Sequence, residues 1–160
     1  KLKVLLPYID PSMQKNMAVY NINLDDEIEL YKQPTSTSCA ATCAAMCVKR
    51  SPETLKEDGF NLNYVESWNA IATRYGYTSF TAGKASLTEV FDLLCQGHPV
   101  IAKINEGAKT QHWVVITRYA GSGTNPTSNQ FTCADPYKGE FVTLSSAPNY
   151  VKIYATKYLE

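Results

Sequence analysis

Apolar and polar positions change their period about halfway along the chain. Residues 38–50 read Ser-Cys-Ala-Ala-Thr-Cys-Ala-Ala-Met-Cys-Val-Lys-Arg. Alanine favours a helix there, hydroxyl residues are available as N-caps, and two basic residues suit the C-terminal end of the dipole. Ser51-Pro52-Glu53 then supplies a cap and a first-turn proline for a short helix that Gly59 stops. A third helix is predicted over 62–75, with Val65, Trp68, Ile71 and Ala72 at helical spacing and Gly76 at its end. Ser86-Leu87-Thr88-Glu89 has the form of a capping box and opens a fourth helix, with Leu87, Val90, Phe91 and Leu94 on one face and Gly97 closing it.

Beyond residue 99 the period shortens to two. The runs 100–104, 112–119, 130–134, 140–144 and 150–156 are rich in β-branched and aromatic residues and are divided by Gly, Pro and Asn. They predict an antiparallel sheet, and the polar stretch 121–129 joins two of its strands as a hairpin loop. Two further short strands are expected at 3–6 and 17–24, around the turn signal Asp10-Pro11-Ser12. Helices followed by strands argue for an α+β fold in which N-terminal helices pack against an antiparallel β-sheet.

A chain of 160 residues suits one domain. Fifteen basic and fifteen acidic residues cancel and are scattered along the chain, which leaves no stripe for nucleic acid. The longest apolar runs, such as 99–102 and 113–116, are too short to span a bilayer, so no membrane insertion by this chain is expected. The chain starts at Lys1 and ends Leu159-Glu160, which reads as a piece of a larger or processed protein carrying a two-residue vector remnant. A low charged fraction with abundant Tyr, Thr, Ser and Asn points outside the cytoplasm before a cytoplasmic location.

Five cysteines leave at least one thiol unpaired. Cys39, Cys43 and Cys47 recur every fourth residue, on one helix face, where a disulfide between neighbouring turns has poorly directed Cβ vectors. Metal sites of this kind draw on loops with two-residue gaps and a fourth ligand, so the spacing calls for no metal or other cofactor. Whether Cys95 and Cys133 pair is left open. Cys43 and Cys47 read as small apolar residues of a buried helix.

Cys39 is different because it falls in the first turn, after the irregular Gln33-Pro34-Thr35-Ser36-Thr37. Unpaired amides and the positive dipole end favour a thiolate there, although a small core residue would also fit. A nucleophile needs an imidazole and a group to orient it. Of the two histidines, His98 lies in a helix-to-strand turn, while His112 opens the strand run His112-Trp113-Val114-Val115-Ile116. Asp135, at the end of the 130–134 run and fixed by Pro136, is the candidate third member, or simply a turn residue. For the oxyanion of an acyl transfer, the Cys39 amide and the Gln33 side chain are the candidate donors.

Taken in order, Gln33, Cys39 six residues on, Ala45-Met46, Gly97-His98-Pro99-Val100-Ile101, His112-Trp113-Val114-Val115 and Asp135-Pro136 resemble the C39-like group of papain-like cysteine peptidases. The resemblance spans residues 33–136. It implies a papain-like fold with the peptidase domain at 33–158 and residues 1–32 as an N-terminal extension packing on it. It also implies Cys39 as nucleophile, His112 as general base and acid, Asp135 as orienting group, Gln33 as oxyanion donor, and a peptide or protein as substrate. Trp113, beside His112, is a candidate cleft wall. The family usually has Gly directly after the nucleophile; Ala40 stands there, and its methyl group borders the expected substrate cleft. Two other readings accompany the peptidase: a cell-wall amidase or endopeptidase of a related papain-like family, and a catalytically silent peptide-binding module.

Overall fold

In a computed structural model of the protein, which describes residues 4–5 and 19–160, four helices pack on an eight-stranded, wholly antiparallel sheet. The α+β expectation is met. The helices are α1 (Cys39–Val48), α2 (Pro52–Glu57), α3 (Trp68–Arg74) and α4 (Leu87–Cys95). The strands are β1 (Val4–Leu5), β2 (Tyr20–Asn23), β3 (Phe80–Gly83), β4 (Val100–Asn105), β5 (His112–Gly121), β6 (Phe131–Asp135), β7 (Glu140–Thr143) and β8 (Ala155–Leu159). Of the strands expected at 3–6 and 17–24, positions 3, 6, 17 and 18 lie outside the described residues, as does the Asp10-Pro11-Ser12 turn.

Strand β5 is the hub. The first half of one edge pairs with β4, through Ile101 opposite Val115 and Ala102 opposite Val114, and the second half pairs with β2. Its other edge carries β6 and then β7. Period-two alternation divides the side chains between two cores. Ile101, Trp113, Val115 and Ala134 face α1, with Leu55 of α2 and Ile71 and Ala72 of α3 in the same cluster. Val100, Ala102, Ile104, Val114, Ile116 and Cys133 face the other way, onto Val90, Phe91, Leu93 and Leu94 of α4. Helices therefore cover both faces of the sheet.

Every residue of α1 except Ala40 is buried. Such a helix can carry no charge, and its Ala, Cys and Thr side chains let its axis lie close to the sheet. It stops at Lys49, which adopts left-handed backbone (φ 57°), and the amides of Lys49 and Arg50 cap the carbonyls of Ala45 and Met46. The Lys49 Nζ donates to the Asp26 carbonyl at 2.7 Å.

Several boundaries differ from the sequence pattern. Helix α3 begins at Trp68 because Asn61 accepts from the Asn63 amide and Ser67 accepts from the Ala70 amide, which holds residues 61–67 in turns. Ser86 caps α4 through the Glu89 amide as expected, but the Glu89 carboxylate accepts from the Lys84 amide instead of closing a capping box. The last strand starts at Ala155, five residues later than 150–156 suggests, after a left-handed Asn149 and an exposed Val151. It pairs with β4 and with β3, a strand too short to stand out in the sequence. Leu159 lies opposite Phe80, and Glu160 exchanges backbone hydrogen bonds with Ser79. No helix among the described residues is long and apolar enough to cross a membrane.

Met46 is fully buried between α1 and its surroundings. Met46→Ala is expected to cost about 2–5 kcal/mol, read as a lower urea midpoint with an unchanged slope.

Candidate active site

The first turn of α1 forms one wall of the site. Ser38 stands at the N-cap position, yet its hydroxyl accepts from the Thr35 amide and donates to the Thr35 carbonyl, both at 3.0 Å. No side chain caps the helix, so its leading amides are left to whatever sits beside Cys39. Cys39 is 8% exposed. The loop before it is held from two directions: Thr35 and Thr37 hydroxyls both donate to Asn63 Oδ1, at 2.7 and 2.6 Å, and the Gln33 amide donates to the Pro136 carbonyl at 2.7 Å. Asn63 is a positioning residue that the sequence reading passed over; its signal was the Asn-Leu-Asn pattern inside a segment assigned to helix.

The opposite wall comes from the sheet. His112 opens β5 beside a register shift in its pairing with β4, between Lys103 and Asn105, the kind of irregularity that re-aims a side chain. Asp135 ends β6, where Pro136 stops the ladder. The two meet: His112 Nε2 lies 2.8 Å from Asp135 Oδ1, with Asp135 fully buried and His112 nearly so. Asp135 Oδ1 also accepts from the Tyr137 amide at 3.0 Å, while Oδ2 has no hydrogen-bond partner among the described residues. Cys39 lies close enough to the same imidazole to bear on its titration.

Electrostatics follow from that contact. Burial works against a charged ring, but the hydrogen bond to Asp135 and the interaction with Cys39 outweigh it and raise the His112 pKa to about 9. The other thiols are shifted in the unreactive direction. Burial pushes Cys47 up to about 12, and drives Cys43, Cys95 and Cys133 upward as well. All five cysteines are free, Cys95 and Cys133 included.

Gln33 is 8% exposed; its Nε2 donates to the Thr35 carbonyl at 2.8 Å, and among the described residues its second Nε2 hydrogen is unused and its buried Oε1 has no partner. Ala40 is half-buried in the first turn. Trp113 is 9% exposed and packs on Trp68 with ring centroids 5.3 Å apart, so most of its surface belongs to the α1 core. His98 is elsewhere, against Tyr158 beside a cavity lined by Cys47 and Glu160. Sequence-distant Gln33, Cys39, His112 and Asp135 thus share one location.

The family model described as the Peptidase_C39 like family matches residues 25–158. No curated protein matches the chain. The architecture described above, a buried helix against an antiparallel sheet, agrees with the papain-like fold of that family.

Because the folded-state pKa of His112 is raised from 6.5 to about 9, its contribution to stability is fully present below pH 6.5 and is lost as pH rises through 9. Chemical denaturation from pH 6 to 10 should show that decline, up to about 3 kcal/mol, and His112→Gln should flatten it.

Proposed function

The chain belongs to the Peptidase_C39 like family, and on that premise we propose that it is a cysteine peptidase acting on peptide or protein substrates through Cys39, His112 and Asp135. The observation that carries the proposal is the buried His112 Nε2 to Asp135 Oδ1 hydrogen bond, with Cys39 close enough to bear on the titration of the same ring.

With Nε2 committed to Asp135, the remaining ring nitrogen, Nδ1, is the one left to exchange a proton with Cys39 and with substrate. The raised pKa keeps the imidazolium charged at neutral pH, which stabilises a thiolate beside it. The thiolate attacks the scissile carbonyl carbon, and the carbonyl oxygen becomes the oxyanion. The Cys39 amide and the unused Gln33 amide hydrogen are the donors suited to hold it. Collapse of the tetrahedral intermediate breaks the C–N bond as His112 protonates the departing amine, leaving a thioester on Cys39. Neutral His112 then takes a proton from water, which attacks the thioester, and the thiolate leaves. No metal or organic cofactor enters these steps.

Asp135 orients the ring and balances its charge. Asp135→Asn is expected to lower kcat at least about tenfold while Cys39 remains alkylatable, measured on a mixture of synthetic peptides followed by mass spectrometry. Cys39→Ala should abolish cleavage with the fold intact by circular dichroism; retained cleavage would move the nucleophile elsewhere. In the intact protein kcat/KM should fall above pH 9, where His112 loses the proton it gives to the leaving amine.

The first measurement is iodoacetamide labelling at pH 6.5, resolved by cysteine. Selective labelling of Cys39, lost in His112→Ala, is the expected result. Labelling of Cys39 no faster than that of the other four thiols would leave a peptide-binding module in place of the peptidase.

A further inference from the structure

Beside Gln33 lies a cavity of about 470 Å³ with two walls. Lys32, Gln33 and residues 34–36 make one; Tyr137 and Lys138, in the turn that follows Asp135, make the other. The walls are fastened together. The Gln33 amide donates to the Pro136 carbonyl at 2.7 Å, and the Gly139 amide donates to the Asp135 carbonyl at 2.8 Å. Gly139 has φ +69°, and a Cβ placed on it would come within 2.8 Å of Lys32 Cβ and 3.2 Å of Lys32 Cα, so the turn rests directly on the Lys32 backbone.

The charges of this cavity are one-sided. Lys32 and Lys138 are its ionised residues, both are exposed, and neither takes part in an ion pair among the described residues. Gln33, nine-tenths buried, lines the same space between them. The cavity also adjoins the turn that holds His112 through Asp135, and the amine released by acyl transfer must pass the group that protonates it.

Resting on the peptidase reading, we propose that this cavity is the leaving-group subsite and that it selects a carboxylate within the first residues after the scissile bond. The carboxylate sits between Lys32 and Lys138. Two sources present this chemistry, an Asp or Glu side chain and the free C-terminus of a short leaving peptide.

Two pairs of tripeptides separate them: Ala-Glu-Ala-amide against Ala-Gln-Ala-amide, and Ala-Ala-Ala acid against its amide. Each is titrated by ligand-observed NMR into the full chain carrying Cys39→Ala, so that nothing is turned over. At low salt the acidic member of at least one pair should half-saturate at a concentration about threefold to tenfold below its neutral twin. The pair that shows the difference identifies the source. The advantage should shrink at about 0.5 M salt, which needs no further variant, and vanish in the Lys32→Gln, Lys138→Gln protein. Equal binding, or no binding, of both members of both pairs overturns the proposal, as does an advantage that survives both the salt and the double substitution. Selectivity without hydrolysis of any peptide by the intact protein would overturn the peptidase reading and the leaving-group role with it, leaving a carboxylate-binding site; hydrolysis without selectivity would overturn the proposal and keep the peptidase reading.

Discussion

Burial of α1 along its whole length is the constraint from which the remaining geometry follows. A ten-residue helix with one half-exposed position must be surrounded, and the sheet supplies one side through Ile101, Trp113, Val115 and Ala134 while α2 and α3 supply another. Its side chains are small, so its axis approaches β5 and β6 closely. That closeness brings the first residue of α1 to the first residue of β5 and the last of β6. A bulkier or charged helix would stand further off, and Cys39 would lose the imidazole.

The same packing makes the polar group of the site interdependent. Asp135 has no solvent, and its Oδ1 receives both the His112 ring and the Tyr137 amide. A buried carboxylate is tolerable because an imidazolium faces it, and the imidazolium is retained because the carboxylate and the Cys39 side chain face it in turn. The charges are therefore properties of the cluster and not of any one residue. Cys43, one turn further along α1, is the same chemical group, yet burial first, then the neighbouring Cys39, Cys47, Asp135 and Cys133, drive its thiol pKa upward.

Much of this was legible in the sequence because the site residues stand at element boundaries, where local signals are strongest. Cys39 follows a turn and opens an alanine-rich run; His112 opens an apolar alternation; Asp135 is fixed by the proline after it. Their mutual contact was not legible, since it depends on strand pairing. Boundaries set by tertiary partners also escaped. Residues 62–67 look helical by apolar spacing, but Asn61, Asn63 and Ser67 spend their side chains on backbone and on Thr35 and Thr37. The start of β8 follows from its pairing with β4 and β3, which no alternation within 150–156 encodes. The pairing of Lys32 with Lys138 across one cavity has no local signature at all.

The hydrogen bond from the Gln33 amide to the Pro136 carbonyl closes a loop of roughly a hundred residues, among the costliest contacts in the chain in configurational entropy. Nothing N-terminal to β6 can substitute for it. During synthesis α1 is complete, with its thiol at the helix start, well before Phe131–Asp135 leaves the ribosome. Until that strand docks on β5, His112 has no carboxylate and Gln33 has no anchor. The assembly of Cys39, His112 and Asp135 into one cluster is thereby deferred to the closing stage of folding.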